Sequence, residues 1–191
     1  MKTKKQKTKK EKKNLFMGIF IIIILVLSTV GFLATMNKDE REEYKGHTLV
    51  KSNEGWALYL EDTTLLLSYH PSELANLTIP AFISLEELST AEKIYISLDP
   101  NQNLYQPLRD FSQIKMSQNL IPACYEELAG CENKPIKNCS DATPQNNVVI
   151  FKTGLNETNI NQDPNCLTIQ GKNTLELTKA VDKLLLTILG L

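Results

Sequence analysis

Residues 93–100 read KIYISLDP, and this stretch decides the fold class. A short run rich in β-branched and aromatic residues that ends at Asp-Pro is typical of a strand followed by a turn. A helix is predicted from Pro107 to about Asn119, because proline suits the first helical turn. NVVIFK at residues 147–152 predicts a second strand. We expect this strand–helix–strand step to be parallel and right-handed.

Downstream, residues 166–170 (CLTIQ) predict a further strand, which Gly171 ends. The segment 174–191 predicts a helix, because apolar residues recur at helical spacing. Asn173, with Glu176 three residues later, supplies the start signal of that helix. We expect its apolar stripe to pack in the core. The stripe consists of Leu177, Val181, Leu184, Leu185 and Ile188.

Upstream, three short runs predict antiparallel strands separated by turn residues: YKGHTLV (44–50), GWALYL (55–60) and TLLLSY (64–69). Ser84-x-x-Glu87 resembles a capping box that opens a short helix. Residues 44–191 are therefore predicted to be one α/β (or α+β) domain. Its order is an antiparallel meander followed by β-α-β-β-α, with the helices packed on one mixed sheet.

The four cysteines lie in this domain with the spacing C-x6-C-x7-C-x26-C. No C-x2-C pair is present to form a zinc knuckle, so no metal site is predicted. An even number of cysteines favours two disulfides. Four cysteines allow three pairings. We favour Cys124–Cys131 with Cys139–Cys166, because the first disulfide would close a short segment of the loop and the second would link the end of the loop to a later strand.

Residues 15–36 contain no charged side chain, and eight lysines precede them. About 20 apolar residues span a bilayer as a helix, so this segment is predicted to be an uncleaved transmembrane anchor in contact with lipid. A cleaved signal peptide, cut after Gly31, is the alternative. The lysines place residues 1–14 in the cytoplasm and the rest outside the cell membrane, and they also suit anionic lipid.

From residue 37 onward, 13 Lys and Arg oppose 21 Asp and Glu, so this part carries a charge of −8. Such a charge argues against a nucleic-acid partner. Residues 37–43 (NKDEREE) are predicted to be a short charged stem that holds the domain close to the bilayer.

No catalytic residue is predicted, because the chain has none of the common catalytic motifs and only two histidines, His47 and His70. We interpret His70 as a capping or surface residue and not as a general base. No cofactor is predicted either.

A ligand site, if one exists, is expected in the loops that follow strands of the second half, because ligands bind at the carboxyl ends of strands in open α/β sheets. The candidate ligand-binding residues are Asp99, Asn101, Lys172 and Asn173. The same residue types are ordinary turn and cap formers.

Glycosylation is a further expectation for an exterior domain. Sequons begin at Asn76, Asn138 and Asn156, and we predict Asn156 and Asn76 as candidates. Asn138 is followed by Cys139, whose predicted disulfide counts against modification.

The order Tyr44-x-Gly46, Trp56, YHPSEL (69–74) and KIYISLDP resembles that of an uncharacterised family of small single-pass membrane proteins of archaea. The resemblance continues through the four-cysteine pattern, NCLTIQGKNTLEL (165–177) and AVDKLLL (180–186). It implies a four-cysteine exterior α/β domain and brings no functional residue, because that family has no assigned activity. At His70 this chain departs from the family, which has asparagine there.

The sequence thus predicts a non-enzymatic, membrane-anchored domain of the cell envelope that works through contacts with another envelope protein. An exposed apolar patch bearing Trp or Tyr would support this hypothesis. The alternative is a domain that captures a small ligand or substrate for a transporter. A third hypothesis, a hydrolase, requires two carboxylic acids that face one cleft and have split pKa values.

Overall fold

The structure is a computed structural model that describes Ile24 and residues 40–79, 91–114 and 119–191. The chain divides into two units, Met1–Glu40 and Arg41–Leu191, and every strand and helix named below belongs to the second. Within the described ranges, neither α-helix combines the length and hydropathy needed to span a bilayer. The lysine-rich tail, the predicted anchor (apart from Ile24, which is helical) and the predicted capping box at 84–87 lie outside the described residues.

The described residues of the second unit form two sheets and two α-helices. The strands are β1 (Arg41–Tyr44), β2 (His47–Ser52), β3 (Gly55–Tyr59), β4 (Thr64–Leu67), β5 (Lys93–Ser97), β6 (Leu120–Ala123), β7 (Asn146–Lys152), β8 (Asn159–Asp163) and β9 (Cys166–Gln170). The helices are α1 (Tyr105–Phe111) and α2 (Thr174–Ile188), with 3-10 turns at Pro71–Leu74 and Cys139–Asp141.

Strands β1–β4 form an antiparallel meander in sequence order. The other five strands form a mixed sheet in the order β6-β5-β7-β9-β8, in which only β8 runs antiparallel to its neighbour. The mixed α/β class is therefore confirmed, and so is the parallel pairing of the strands predicted at 93–98 and 147–152. The prediction of a single mixed sheet was wrong, because the meander forms a separate four-stranded sheet.

The meander has four strands, not three. Lys45 and Gly46 both adopt positive φ angles, 49° and 82°, and Tyr44 pairs directly with His47. Two such residues make the tight turn whose twist suits a two-residue hairpin. The run YKGHTLV therefore folds back on itself, and β1 occupies the end of the predicted charged stem.

The strands β6 and β8 were not predicted. Both lie at edges of the mixed sheet. β6 contains Pro122, which is tolerated at an edge because its missing N–H faces away from the ladder, and β8 (NINQD) is polar. The helix predicted from Pro107 to about Asn119 was also too long, since α1 ends at Phe111 and Asn119 directly precedes β6.

The mixed sheet is buried on both faces. Val149 and Phe151 of β7 contribute to the main core together with α1, α2 and the leucines of the meander. Val148 and Ile150 point to the opposite face, where they cluster with Cys166. Burial on both faces explains why β7 reads as a continuous apolar run without alternation.

Helix α2 begins where the sequence indicates. The Asn173 side-chain oxygen accepts a hydrogen bond from the backbone N–H of Glu176 at 2.9 Å, which satisfies a donor of the first turn. Four residues of the predicted stripe are buried, and Ile188 is partly buried against the same core. The prediction that this stripe packs in the core is confirmed.

Candidate functional site

Two disulfides are present, Cys124–Cys131 and Cys139–Cys166, in the pairing that the sequence favoured. They hold a loop against the second face of the mixed sheet. Cys124 donates its N–H to Pro135 and accepts from the N–H of Lys137, and the buried Ser97 hydroxyl donates to the Lys137 carbonyl at 2.7 Å. Helices cover both faces of most parallel sheets. Among the described residues, this disulfide-bonded loop covers the second face instead. The disulfides are therefore structural.

An apolar groove lies on the other face, between α1 and the edge of the sheet. Its cavity volume is about 370 Å³. The side chains that line it come from β5, α1, β6 and the residues that join them: Ile96, Leu98, Leu108, Phe111, Ser112, Leu120 and Pro122. Helix α1, which forms one side of the groove, has seven residues, about 10 Å of helix.

Two exposed apolar side chains belong to the elements that form the groove. Leu120, which lines it, is 45% exposed, and Tyr105, one helical turn before the lining residue Leu108 of α1, is 70% exposed. None of the described lining residues carries a charge. An exposed tyrosine on a helix that lines an apolar groove is typical of a protein-contact surface.

Two polar side chains of α1 and of the turn after it, Arg109 and Gln113, are directed toward the meander and the residue that follows β4. Arg109 Nη2 donates to the Ser68 hydroxyl at 2.8 Å. The Gln113 side-chain amide bonds both backbone groups of Leu66, each at 2.6 Å, and so acts as a one-residue strand on the edge of β4. These contacts join the two sheets through α1 and leave its apolar side to the groove.

A pair of buried carboxyls connects the helices. Asp110 of α1 and Asp182 of α2 are both fully buried. Asp110 is paired with the Arg109 guanidinium at 2.6 Å and accepts a hydrogen bond from the Ser68 hydroxyl at 2.6 Å. Asp182 Oδ2 accepts from the Tyr69 N–H at 2.8 Å, and its Oδ1 has no hydrogen-bond partner among the described residues.

Burial, and then the negative charge of Asp110, raise the pKa of Asp182 to about 9. Asp182 is therefore protonated at neutral pH. The pair has an acid whose pKa is strongly raised, but both side chains are in the interior and not in a cleft. Its arrangement suits a structural contact between α1, α2 and residues 68–69.

The predicted ligand-binding residues lie in loops at the carboxyl edge of the mixed sheet. Asp99 accepts hydrogen bonds from the backbone and side chain of Asn101, whose amide also donates to the Ala129 carbonyl at 2.7 Å. Asn173 caps α2, and the Lys172 carbonyl accepts from Gly154 at 3.3 Å. The printed contacts of these side chains are those of turns and caps, and the ligand-binding role stays a prediction.

A third loop connects the two that were predicted. The Thr153 hydroxyl donates to Gln102, and Gly154 follows Thr153 and bonds the loop at Lys172. At the same edge, Lys152 Nζ lies 4.5 Å from the centre of the Tyr125 ring. Burial raises the pKa of Tyr125, and the charges of Asp99 and Glu126 raise it further. The sequence did not point to Tyr125, because β6, which precedes it, was not predicted. Lys152 lies at the end of the predicted strand 147–152, and only the fold brings it next to Tyr125.

His70 has the capping role that the sequence indicated. Its Nδ1 accepts from the backbone N–H of Ser72 at 3.2 Å at the start of the 3-10 turn Pro71–Leu74, while Glu73 accepts from the His70 N–H. Nε2 lies 3.1 Å from Glu42 of β1, and the ring packs edge-on against Trp56. These contacts hold the 3-10 turn against strands β1 and β3 of the meander.

All three sequon asparagines, Asn76, Asn138 and Asn156, are exposed. Asn138 is engaged locally, since its side-chain oxygen accepts from both the N–H and the hydroxyl of Ser140. Glycosylation at Asn76 and Asn156 stays a prediction.

Comparisons of the chain with protein-family models, with curated proteins and with solved structures gave no match.

Proposed function

We propose that this chain is a single-pass, membrane-tethered domain of the cell envelope that binds protein partners through the groove between α1 and β6. It works through contacts and not through catalysis. Residues 15–36 and the eight lysines before them support the tether and its orientation. The two disulfides support an oxidising location outside the cytoplasm. Under this proposal the chain has the architecture of the archaeal family that its sequence resembles.

The observation that carries the proposal is the groove itself. Native interiors leave few voids larger than a water molecule, whereas this cavity of about 370 Å³ has a described lining that is mainly apolar, and Leu120 of that lining is 45% exposed. Burial of such surface in a complex is favourable at roughly 25 cal/mol per Å². Tyrosine is also among the residues enriched at the centres of protein interfaces.

Site-specific photo-cross-linking in intact cells tests the contact. A photoreactive amino acid is placed at Tyr105 in the full chain, with Leu175, an exposed residue of α2 (57%), as the matched control position. We expect a protein adduct from position 105 and none from position 175. The adduct should disappear when Leu120→Glu is added. Equal adducts from both positions, or no protein adduct at all, would refute the groove as a contact surface.

Thiol labelling of intact cells with a membrane-impermeant reagent tests the location. Because all four cysteines are paired, we expect labelling only after reduction. Labelling that requires lysis of the cells would place the domain in the cytoplasm and refute the orientation.

A second candidate function, capture of a small ligand at the carboxyl edge, is favoured by the hydrogen bonds that join the three loops there. Asp99, Tyr125 and Lys152 would supply the polar contacts. The test is the shift in melting temperature of the full chain with a panel of small metabolites. A ligand that raises the melting temperature of the wild type but not of Lys152→Gln supports capture. The control Lys134→Gln, on the disulfide loop, should respond to the ligand like the wild type. Equal shifts in both variants argue against it.

A further inference from the structure

We propose that His70 is a pH-sensitive link between strand β1 and the 3-10 turn Pro71–Leu74. The neutral ring caps the turn, whereas the protonated ring gives up that cap and holds β1 through an ion pair with Glu42. Neither the groove nor the membrane tether takes part in this link, so it is separate from the function proposed above.

The contacts of the His70 ring fix its tautomer in the neutral state. Nδ1 accepts a hydrogen bond from the backbone N–H of Ser72 at 3.2 Å, so this nitrogen carries a lone pair and no proton. Nε2 lies 3.1 Å from Glu42 Oε2, and an N–H at this position donates to the carboxylate. The neutral ring therefore has its proton on Nε2 and joins the turn to β1.

A second proton on the ring is incompatible with the cap. Protonated imidazole has two N–H donors and no acceptor, so its Nδ1 does not accept from the Ser72 N–H. The Ser72 hydroxyl lies 2.6 Å from Nδ1 and is placed to accept the new N–H. At Nε2 the hydrogen bond to Glu42 becomes charge-assisted, and such bonds are roughly twice as strong as neutral ones. Protonation therefore loosens the turn at Ser72 and tightens the contact with β1.

The ring is the group near this contact whose charge changes close to neutral pH. Its side chain is 22% exposed and so exchanges protons with solvent, and histidine ordinarily changes charge between pH 5 and 8. Other ionisable groups nearby are Glu73 of the turn, Lys51 of β2 over the Trp56 ring, and Lys179 of α2 over the Tyr69 ring. Carboxylates and ammonium groups ordinarily keep their charges in that interval. Asp182, which accepts from the Tyr69 N–H, keeps its proton there, because burial raises its pKa to about 9.

Strand β1 is the element that responds to the link. It lies at the edge of the meander and pairs only with β2, and three of its four residues are exposed. Parts of a domain with few buried contacts open at a low cost in free energy. A stronger bond from His70 to Glu42 therefore acts on a strand that has little burial to hold it in place.

The only tryptophan of the chain reports the charge of the ring. Trp56 packs against His70 with ring centroids 4.6 Å apart, and a protonated imidazole in contact with an indole quenches its fluorescence. We expect the emission of the full chain in mild detergent to fall between pH 8 and pH 5. His70→Asn should abolish the change, because asparagine caps a turn without gaining a proton. His47→Asn replaces the only other histidine and should keep it. A change that persists in His70→Asn would overturn the proposal.

Nitrogen-15 NMR of the imidazole tests the exchange of the cap. At pH 8 we expect the His70 proton on Nε2, and at pH 5 a proton on each nitrogen. The backbone amide signal of Ser72 should move with the same midpoint and should not move in His70→Asn. A ring with its proton on Nδ1 at pH 8, or a Ser72 amide that does not respond, would show that the ring does not cap the turn.

A matched pair of variants in β1 tests the ion pair. Glu42→Gln should move the fluorescence midpoint to lower pH by about 0.2–0.7 unit, the size expected for an exposed ion pair. Glu43→Gln, at the next position of the strand, should leave it in place. By linkage, hydrogen exchange of β1 amides in the wild type, corrected for the intrinsic effect of pH, should slow about 1.5- to 5-fold from pH 8 to pH 5. Equal midpoints in both variants, or exchange that does not slow, would refute the link to β1.

Discussion

Replacement of Asp182 by asparagine should stabilise the domain at neutral pH. The side chain is fully buried, and the pKa of its carboxyl is raised from 3.8 to about 9. At pH 7 the unfolded chain has an ionised Asp182, and the folded chain must take up a proton at this position. Asparagine has the shape of the protonated acid, and its amide can donate toward Asp110 without any proton uptake.

The magnitude follows from proton linkage. A group whose pKa is raised on folding lowers stability as pH rises from its unfolded pKa to its folded pKa. For Asp182 this interval runs from 3.8 to about 9. Between pH 3.8 and pH 7 there are about three pH units, each worth ~1.36 kcal/mol, so proton uptake costs up to ~4 kcal/mol at pH 7. The benefit of Asp182→Asn should reach that order at pH 7 and vanish near pH 4.

The assay is urea unfolding of the full chain in mild detergent at several pH values between 4 and 9. The fluorescence of Trp56, the only tryptophan, reports the transition. The difference in unfolding free energy between variant and wild type should grow by about 1.4 kcal/mol per pH unit up to pH 9. Asp163→Asn, at an exposed position in β8, is the control and should leave the profile unchanged. If the unfolding free energies of Asp182→Asn and the wild type differ by the same amount at every pH, Asp182 does not take up a proton on folding.

Three further predictions concern contacts that hold the domain together. Gln113→Ala removes both partners of the Leu66 backbone, which should cost about 1–3 kcal/mol for each group left unpaired and lower the urea midpoint. Replacement of Cys139 and Cys166 by serine opens a link across 27 positions, for which chain entropy predicts a loss of ~3.5 kcal/mol and faster amide exchange in β7. Gly171→Ala places a methyl group 2.4 Å from the Leu177 nitrogen, and overpacking of this kind costs about 1–3 kcal/mol, measurable as a lower melting temperature.

The first two of these have an internal comparison. Gln106→Ala, at an exposed position of α1, should not change the midpoint. Serine at Cys124 and Cys131 opens a link across only 7 positions, so its entropic cost should be ~1 kcal/mol smaller. A Gln113 variant as stable as Gln106→Ala would show that water replaces the amide. Equal losses for the two disulfides would contradict the chain-entropy account.

The features that the sequence predicted correctly are those marked by residues close together in the chain. Asn173 and Glu176 mark the start of α2 because a cap is made by residues three positions apart. The parallel strands β5, β7 and β9 were recognised because burial on both faces leaves an apolar run in the sequence. The presence of disulfides followed from the cysteine count, whereas their pairing was one of three that the spacing allowed.

The sequence by itself therefore determined the α/β class, the central strands, α2 and the disulfide-bonded character of the domain, and it predicts the membrane anchor at residues 15–36. The tertiary structure alone decided the separation into two sheets, the edge strands β6 and β8, the pairing of Asp110 with Asp182 and the groove beside α1. The physical reason is that these features depend on contacts between residues distant in sequence. An edge strand depends on pairing with its neighbour and shows a weaker apolar pattern in the sequence. The pKa of Asp182 is raised first by burial in the folded domain and then by the charge of Asp110, 72 positions earlier in the chain.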